Sequence, residues 1–102
     1  VKLDGFIIGI TDAEIRREKA KARELRQSRW WRNRISSGRC HWCNASFPPE
    51  ELTMDHVIPL VRGGKSTRNN LVPCCKECNS RKKFLLPMEW EEYLKKHGAS
   101  GA

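Results

Sequence analysis

Residues 54–83 read MDHVIPLVRGGKSTRNNLVPCCKECNSRKK. Leu52 to Ile58 predict a short strand that stops at Pro59, and Leu71 to Pro73 predict a second strand able to pair back. Between them, Arg62 to Asn70 form a loop rich in Gly, Lys and Asn. Lys76 to Leu85 then predict a helix. This order sets Asp55 and His56 at a strand end, Asn70 beyond the glycine loop and Asn79 on the helix, which brings ligand and base chemistries towards one place.

Cysteines bracket the stretch. Of the five, Cys40 with Cys43 and Cys75 with Cys78 make two C-x-x-C pairs, and Cys74 is left over for packing. Zn²⁺ favours four tetrahedral thiolates, and each C-x-x-C turn offers two from one short loop. The gap between the pairs, residues 44–74, exceeds the roughly fifteen to twenty residues of a simple zinc ribbon. A whole subdomain is therefore inserted between them. A redox dithiol needs only one such pair beside a thioredoxin-like pattern, so structural zinc is the favoured reading. An odd cysteine total argues against a disulfide framework and for a reducing, cytosol-like compartment.

Further out, Thr11 followed by Glu14 has the spacing of a capping box. The chain from Asp12 to about Ile35 lacks Gly and Pro, which predicts one long helix within residues 11–36. It carries nine basic residues against four acidic ones between 12 and 34. Ile15, Ala22 and Leu25 share a face while Trp31 and Ile35 fall on another, so no apolar stripe runs its length. Two readings stand side by side: a solvated helix laced with pairs such as Asp12 with Arg16, or a surface for a polyanion. At the other end, Pro87, the acidic Glu89, Glu91 and Glu92, the basic Lys95, Lys96 and His97, and Gly98 predict a helix over 87–98. Trp90, Tyr93 and Leu94 would form its inner face, and the tail GASGA would fray.

The 102 residues make one domain of a size that needs a staple beyond its core. A formal charge of +8 attracts polyanions. The longest apolar run, Phe6 to Ile10, is far too short to span a bilayer, and no secretory segment is visible, so membrane is set aside in favour of nucleic acid.

The strings DHVIP, GG, NNLVP and CKECNSRKK resemble the HNH endonuclease signature, in its form with paired C-x-x-C zinc ligands, over residues 40–83. That resemblance implies an α+β chain with a ββα-metal core, here 40–86, stapled by Cys40, Cys43, Cys75 and Cys78. It implies that His56 is the general base, that Asp55 ligates a catalytic divalent ion, and that Asn70, rather than its neighbour Asn69, bonds across the loop to orient the base. The third motif position, often His, is Asn79. An amide oxygen is a harder ligand than imidazole and favours Mg²⁺ or Mn²⁺; the alternative is weakened or lost catalysis, but the intact Asp55 and His56 favour an active enzyme. Lys82 matches a basic family position, and with Arg81, Lys83, Arg62 and Lys65 it makes the expected nucleic-acid-binding set. The implied activity is one-metal hydrolysis of DNA that leaves 5′-phosphate and 3′-hydroxyl ends. The alternatives are a non-catalytic zinc module that binds nucleic acid, and an interaction module in which the long helix and Trp30 with Trp31 dock a partner or form a dimer.

Overall fold

The computed structural model describes residues 10–97 together with the backbone of Lys2–Leu3 and Phe6–Ile7. Gly98 and the tail lie outside the described residues. The two short segments pair antiparallel as strands β1 (Lys2–Leu3) and β2 (Phe6–Ile7). No helix among the described residues is long and apolar enough to cross a membrane.

The expected long basic helix is two helices, α1 (Asp12–Arg26) and α2 (Arg29–Ile35). Thr11 caps α1, its hydroxyl accepting the Glu14 N–H at 3.1 Å. Ser28 explains the correction. Its hydroxyl donates to the Leu25 carbonyl at 2.5 Å and accepts the Trp31 N–H at 3.2 Å, and its backbone is extended. One serine thus closes the first helix and caps the second, a competition that Ser wins more readily at helix ends than inside them. The break turns Trp31 inward, where it is buried, while the Arg68 guanidinium sits 5.6 Å from the Trp30 ring centroid. Trp30 and Trp31 are therefore not the free docking pair that the continuous helix suggested.

Strands β3 (Thr53–His56) and β4 (Leu71–Cys74) pair antiparallel, with Asp55 opposite Val72 and His56 opposite Leu71. The first strand is shorter than expected because Asn70 takes over its ladder. Its carbonyl accepts from Val57 N–H at 2.9 Å, and its side chain exchanges bonds with the N–H and C=O of Ile58 at 2.9 and 3.1 Å. Gly64 closes the intervening loop so tightly that a Cβ there would lie 1.7 Å from the Ile58 carbonyl oxygen.

Helix α3 (Lys76–Lys82) also ends before the expected Leu85, because Lys83 adopts a positive φ of 45°. Helix α4 (Pro87–His97) follows. Glu89 accepts the Leu86 N–H at 2.8 Å, satisfying a donor at its start. The ring of Trp90 stacks on Tyr93 with centroids 5.5 Å apart. The core of this half is built from Cys40, Leu52, Cys74, Cys75, Cys78 and Trp90, so sulfur supplies what a chain this short lacks in aliphatic side chains. These elements form the α+β arrangement of two antiparallel strands and a following helix expected of a ββα core.

Candidate active site and metal centre

The sulfurs of Cys40, Cys43, Cys75 and Cys78 all lie within 4.8 Å of one another. Two tight turns present them, and backbone N–H groups already point at sulfur: those of Trp42 and Cys75 at Cys40 Sγ, and that of Cys78 at Cys75 Sγ, each at 3.4 Å. Such donors suit thiolates. The neighbouring Cys74 thiol, ahead of those backbone donors, holds Cys40 down to about 3. Burial pushes Cys43 and Cys78 up. Four sulfurs this close cannot all ionise without a cation among them, so the donor set fits a soft divalent ion, and the cluster is able to hold zinc. Cys74, wholly buried, packs in the core beside Cys40.

A second centre lies across the β3–α3 junction. Asp55, His56, Asn79 and Lys83 line one cavity of about 370 Å³ together with Ile15 and Lys19 of α1. Successive strand residues point to opposite faces, and Asp55 is buried while His56 is half-buried. The strand ends here, however, and the cavity at its end reaches both side chains. Asp55 Oδ2 accepts from the Trp42 indole N–H at 2.9 Å and is paired with Lys82 Nζ at 3.3 Å. Asp55 and the exposed Asn79 both line the cavity and give it oxygen donors suited to a hard divalent cation. Burial lowers the His56 pKa, against the opposing pull of the Asp55 and Glu18 carboxylates. Its ring Nε2 lies 2.9 Å from Ser66 Oγ.

Other expected residues fall elsewhere. Asn70 stands one step behind the cavity, tying Ile58 and the Lys65 carbonyl, the latter at 2.8 Å. Arg81 and Lys83 are exposed, Arg81 paired with Glu77 at 3.1 Å, and Lys65 is exposed in the loop. Lys82 needs correction, since it is wholly buried rather than on the surface, with its ammonium 4.7 Å from the Trp42 ring centroid and on the Asp55 carboxylate. A cation this deep is kept by its pairing and would not reach a phosphate outside. Arg62 is likewise occupied, its two terminal nitrogens donating to the Glu89 carboxylate at 3.0 and 3.1 Å, so it braces α4 against the loop.

Three contributors escaped the motif. Trp42 inside CHWC orients the aspartate, Ser66 touches the histidine, and α1 places Lys19, Arg23 and Arg26 around a second cavity that also reaches His56. A tryptophan between the paired cysteines was a visible signal; Ser66 and the choice among nine basic residues were not.

A sequence model of the HNH endonuclease family matches residues 40–94, more than half of the chain. The chain belongs to this family. The match takes in both cysteine pairs, the β3–β4 hairpin, α3 and most of α4, and it excludes α1 and α2. No curated protein matches the chain.

Proposed function

We propose that this HNH chain is a metal-dependent DNA endonuclease that hydrolyses phosphodiester bonds with His56 as general base, leaving 5′-phosphate and 3′-hydroxyl ends. The observation that carries the reading is the convergence of Asp55, His56 and Asn79 on one cavity with Lys19 and Lys83 at its walls. His56 takes a proton from water as the water oxygen bonds to phosphorus, and the bond from phosphorus to the 3′ oxygen breaks, the leaving oxygen taking its proton from solvent. A base of lowered pKa is neutral and ready at physiological pH. Asp55 and Asn79 would hold Mg²⁺ or Mn²⁺, which when bound supplies Lewis acidity towards the phosphate and the leaving oxygen. Trp42 and Lys82 fix the Asp55 carboxylate through Oδ2, and Lys19, Arg23 and Arg26 offer a cationic wall for the DNA backbone. Zn²⁺ on the four cysteines would be structural.

One observation favours a second reading, a zinc-containing module that binds nucleic acid without cutting it. Lys82 already neutralises Asp55 from inside, as a residue replacing the ion would. Supercoiled plasmid with Mg²⁺ or Mn²⁺, with EDTA and His56→Ala as controls checked by circular dichroism, separates the two. Nicked or linear product lost in both controls is expected, with His56→Ala reducing the rate by about 10² to 10⁴. Tight binding with no cutting under any divalent ion would give the second reading the case.

A further inference from the structure

His56 is braced from outside the matched module. Ser66 Oγ donates to the backbone carbonyl of Glu18 on α1 at 2.6 Å, because a carbonyl can only accept. A serine hydroxyl has one hydrogen, and it is spent there. The 2.9 Å contact between Ser66 Oγ and His56 Nε2 must then run the other way, with the ring N–H donating to the serine oxygen. The neutral imidazole has only one N–H, so Nδ1 keeps its lone pair. Ser66 is itself pinned: its backbone N–H donates to Glu18 Oε1 at 2.6 Å, and Lys21 holds Oε2 at 3.2 Å. Glu18 and Ser66 are both buried, so water does not compete readily for these bonds.

We propose that Ser66 and Glu18 are positioning residues that hold His56 as the Nε2–H tautomer and leave Nδ1 as the atom that takes the proton from water. This rests on the reading of His56 as general base, and it makes α1 part of the catalytic apparatus rather than a basic appendage. The hydroxyl has to stay a pure acceptor towards the ring, which requires the Glu18 carbonyl to occupy its proton. Helix α1 thereby sets which nitrogen faces the reacting centre.

The test is nitrogen-15 NMR of the full chain loaded with zinc and without DNA, the His56 signals being assigned against a His56→Gln variant. The wild type is expected to show a proton on Nε2, protected from exchange and close to the Ser66 β-protons, with Nδ1 unprotonated. Ser66→Ala is expected to speed exchange of that proton by at least about tenfold and to lower kcat by about tenfold at unchanged KM, the low end of what loss of an outer-shell partner costs at metal-ligating histidines. Ser66→Thr, which keeps the hydroxyl, should restore protection. A proton on Nδ1, an unprotected Nε2 proton in the wild type, or exchange unaltered in Ser66→Ala would overturn the proposal. If Ser66→Ala does not fold, the wild-type spectrum decides alone. Because the spectrum needs no DNA, absence of plasmid cutting would count against the nuclease reading without touching the tautomer.

Discussion

The cysteine-clustered module and helix α1 meet at His56 but are held in place by different physics. The module, residues 40–94, gathers four sulfurs within 4.8 Å and builds its core from those cysteines and Trp90. Helix α1 buries only Ala22 and Glu18 and reaches the module through the Glu18–Ser66 hydrogen bonds and its contact with the Leu60–Arg62 turn. One part depends on ligand chemistry, the other on a few polar contacts whose loss leaves donors stranded. His56, between them, inherits its position from both.

The largest effect that would break this contrast is metal removal. Structural zinc in small domains contributes on the order of 10–16 kcal/mol of binding free energy that is also folding free energy. Stripping the protein with a strong chelator, or replacing Cys75 by Ser, is expected to abolish the cooperative melt followed by circular dichroism, with one zinc per chain measured before treatment. A metal-free chain that melts as the untreated one does would show that the aliphatic and aromatic core suffices, and that sulfur is not what separates the two regions.

That asymmetry also decides what a sequence reveals. Ligand chemistry imposes spacing, so Cys40, Cys43, Cys75 and Cys78 stood out, and the DHVIP and CKECN strings put Asp55, His56 and Asn79 where the cavity finds them. The α+β order was legible for the same reason, since turns and prolines punctuate the hairpin and α4. Element ends were less so. The side chain of Asn70 continued a ladder that Pro59 was expected to close, and Ser28 broke a helix that no Gly or Pro interrupted. Side-chain pairing across the fold was not legible at all. Lys82 looked like its exposed neighbours Arg81 and Lys83, yet the tertiary fold gives it a buried carboxylate. Glu18 was one of four acidic residues on a helix read as solvated or as a polyanion surface, and nothing local tied it to Ser66, forty-eight positions away.

A medium-sized effect sharpens the contrast from the α1 side. The Ser66 backbone N–H, followed by the Lys21 ammonium, holds the Glu18 carboxyl below its ordinary value of 4.5 against the opposing pull of burial. A depressed carboxyl stabilises the fold above its unfolded value and loses that contribution as pH falls through the lower folded value. Wild type should therefore exceed Glu18→Gln in stability by about 1 kcal/mol at neutral pH, a charge-assisted bond against a neutral one. The gap should close as acid protonates the wild-type carboxylate below pH 4.5. Denaturant melts of both proteins from neutral to acidic pH check this, and a gap that is constant with pH would mean that the carboxylate charge does not anchor α1.

The smallest expected effect lies in the hinge between α1 and α2, where the two regions could be uncoupled without harming either. Ser28→Ala removes a cap from α2 and a bond to the last turn of α1 together, and loss of a capping hydroxyl on so short a helix is expected at the low end of the usual range, about 0.5 kcal/mol. Alanine also favours the helical backbone that Ser28 leaves, so the variant tests whether the break is imposed by the serine or by what surrounds it. Trp31 is buried and Trp30 lies beneath Arg68, and both anchors require the chain to change direction at this point. If they dominate, the variant keeps two helices and loses only the cap, visible as a slightly lower melting temperature with unchanged helical ellipticity. Gain of ellipticity with release of Trp31 to solvent, read from its fluorescence, would show instead that one hydroxyl was holding the helices apart, and that the continuous helix is this segment's intrinsic preference.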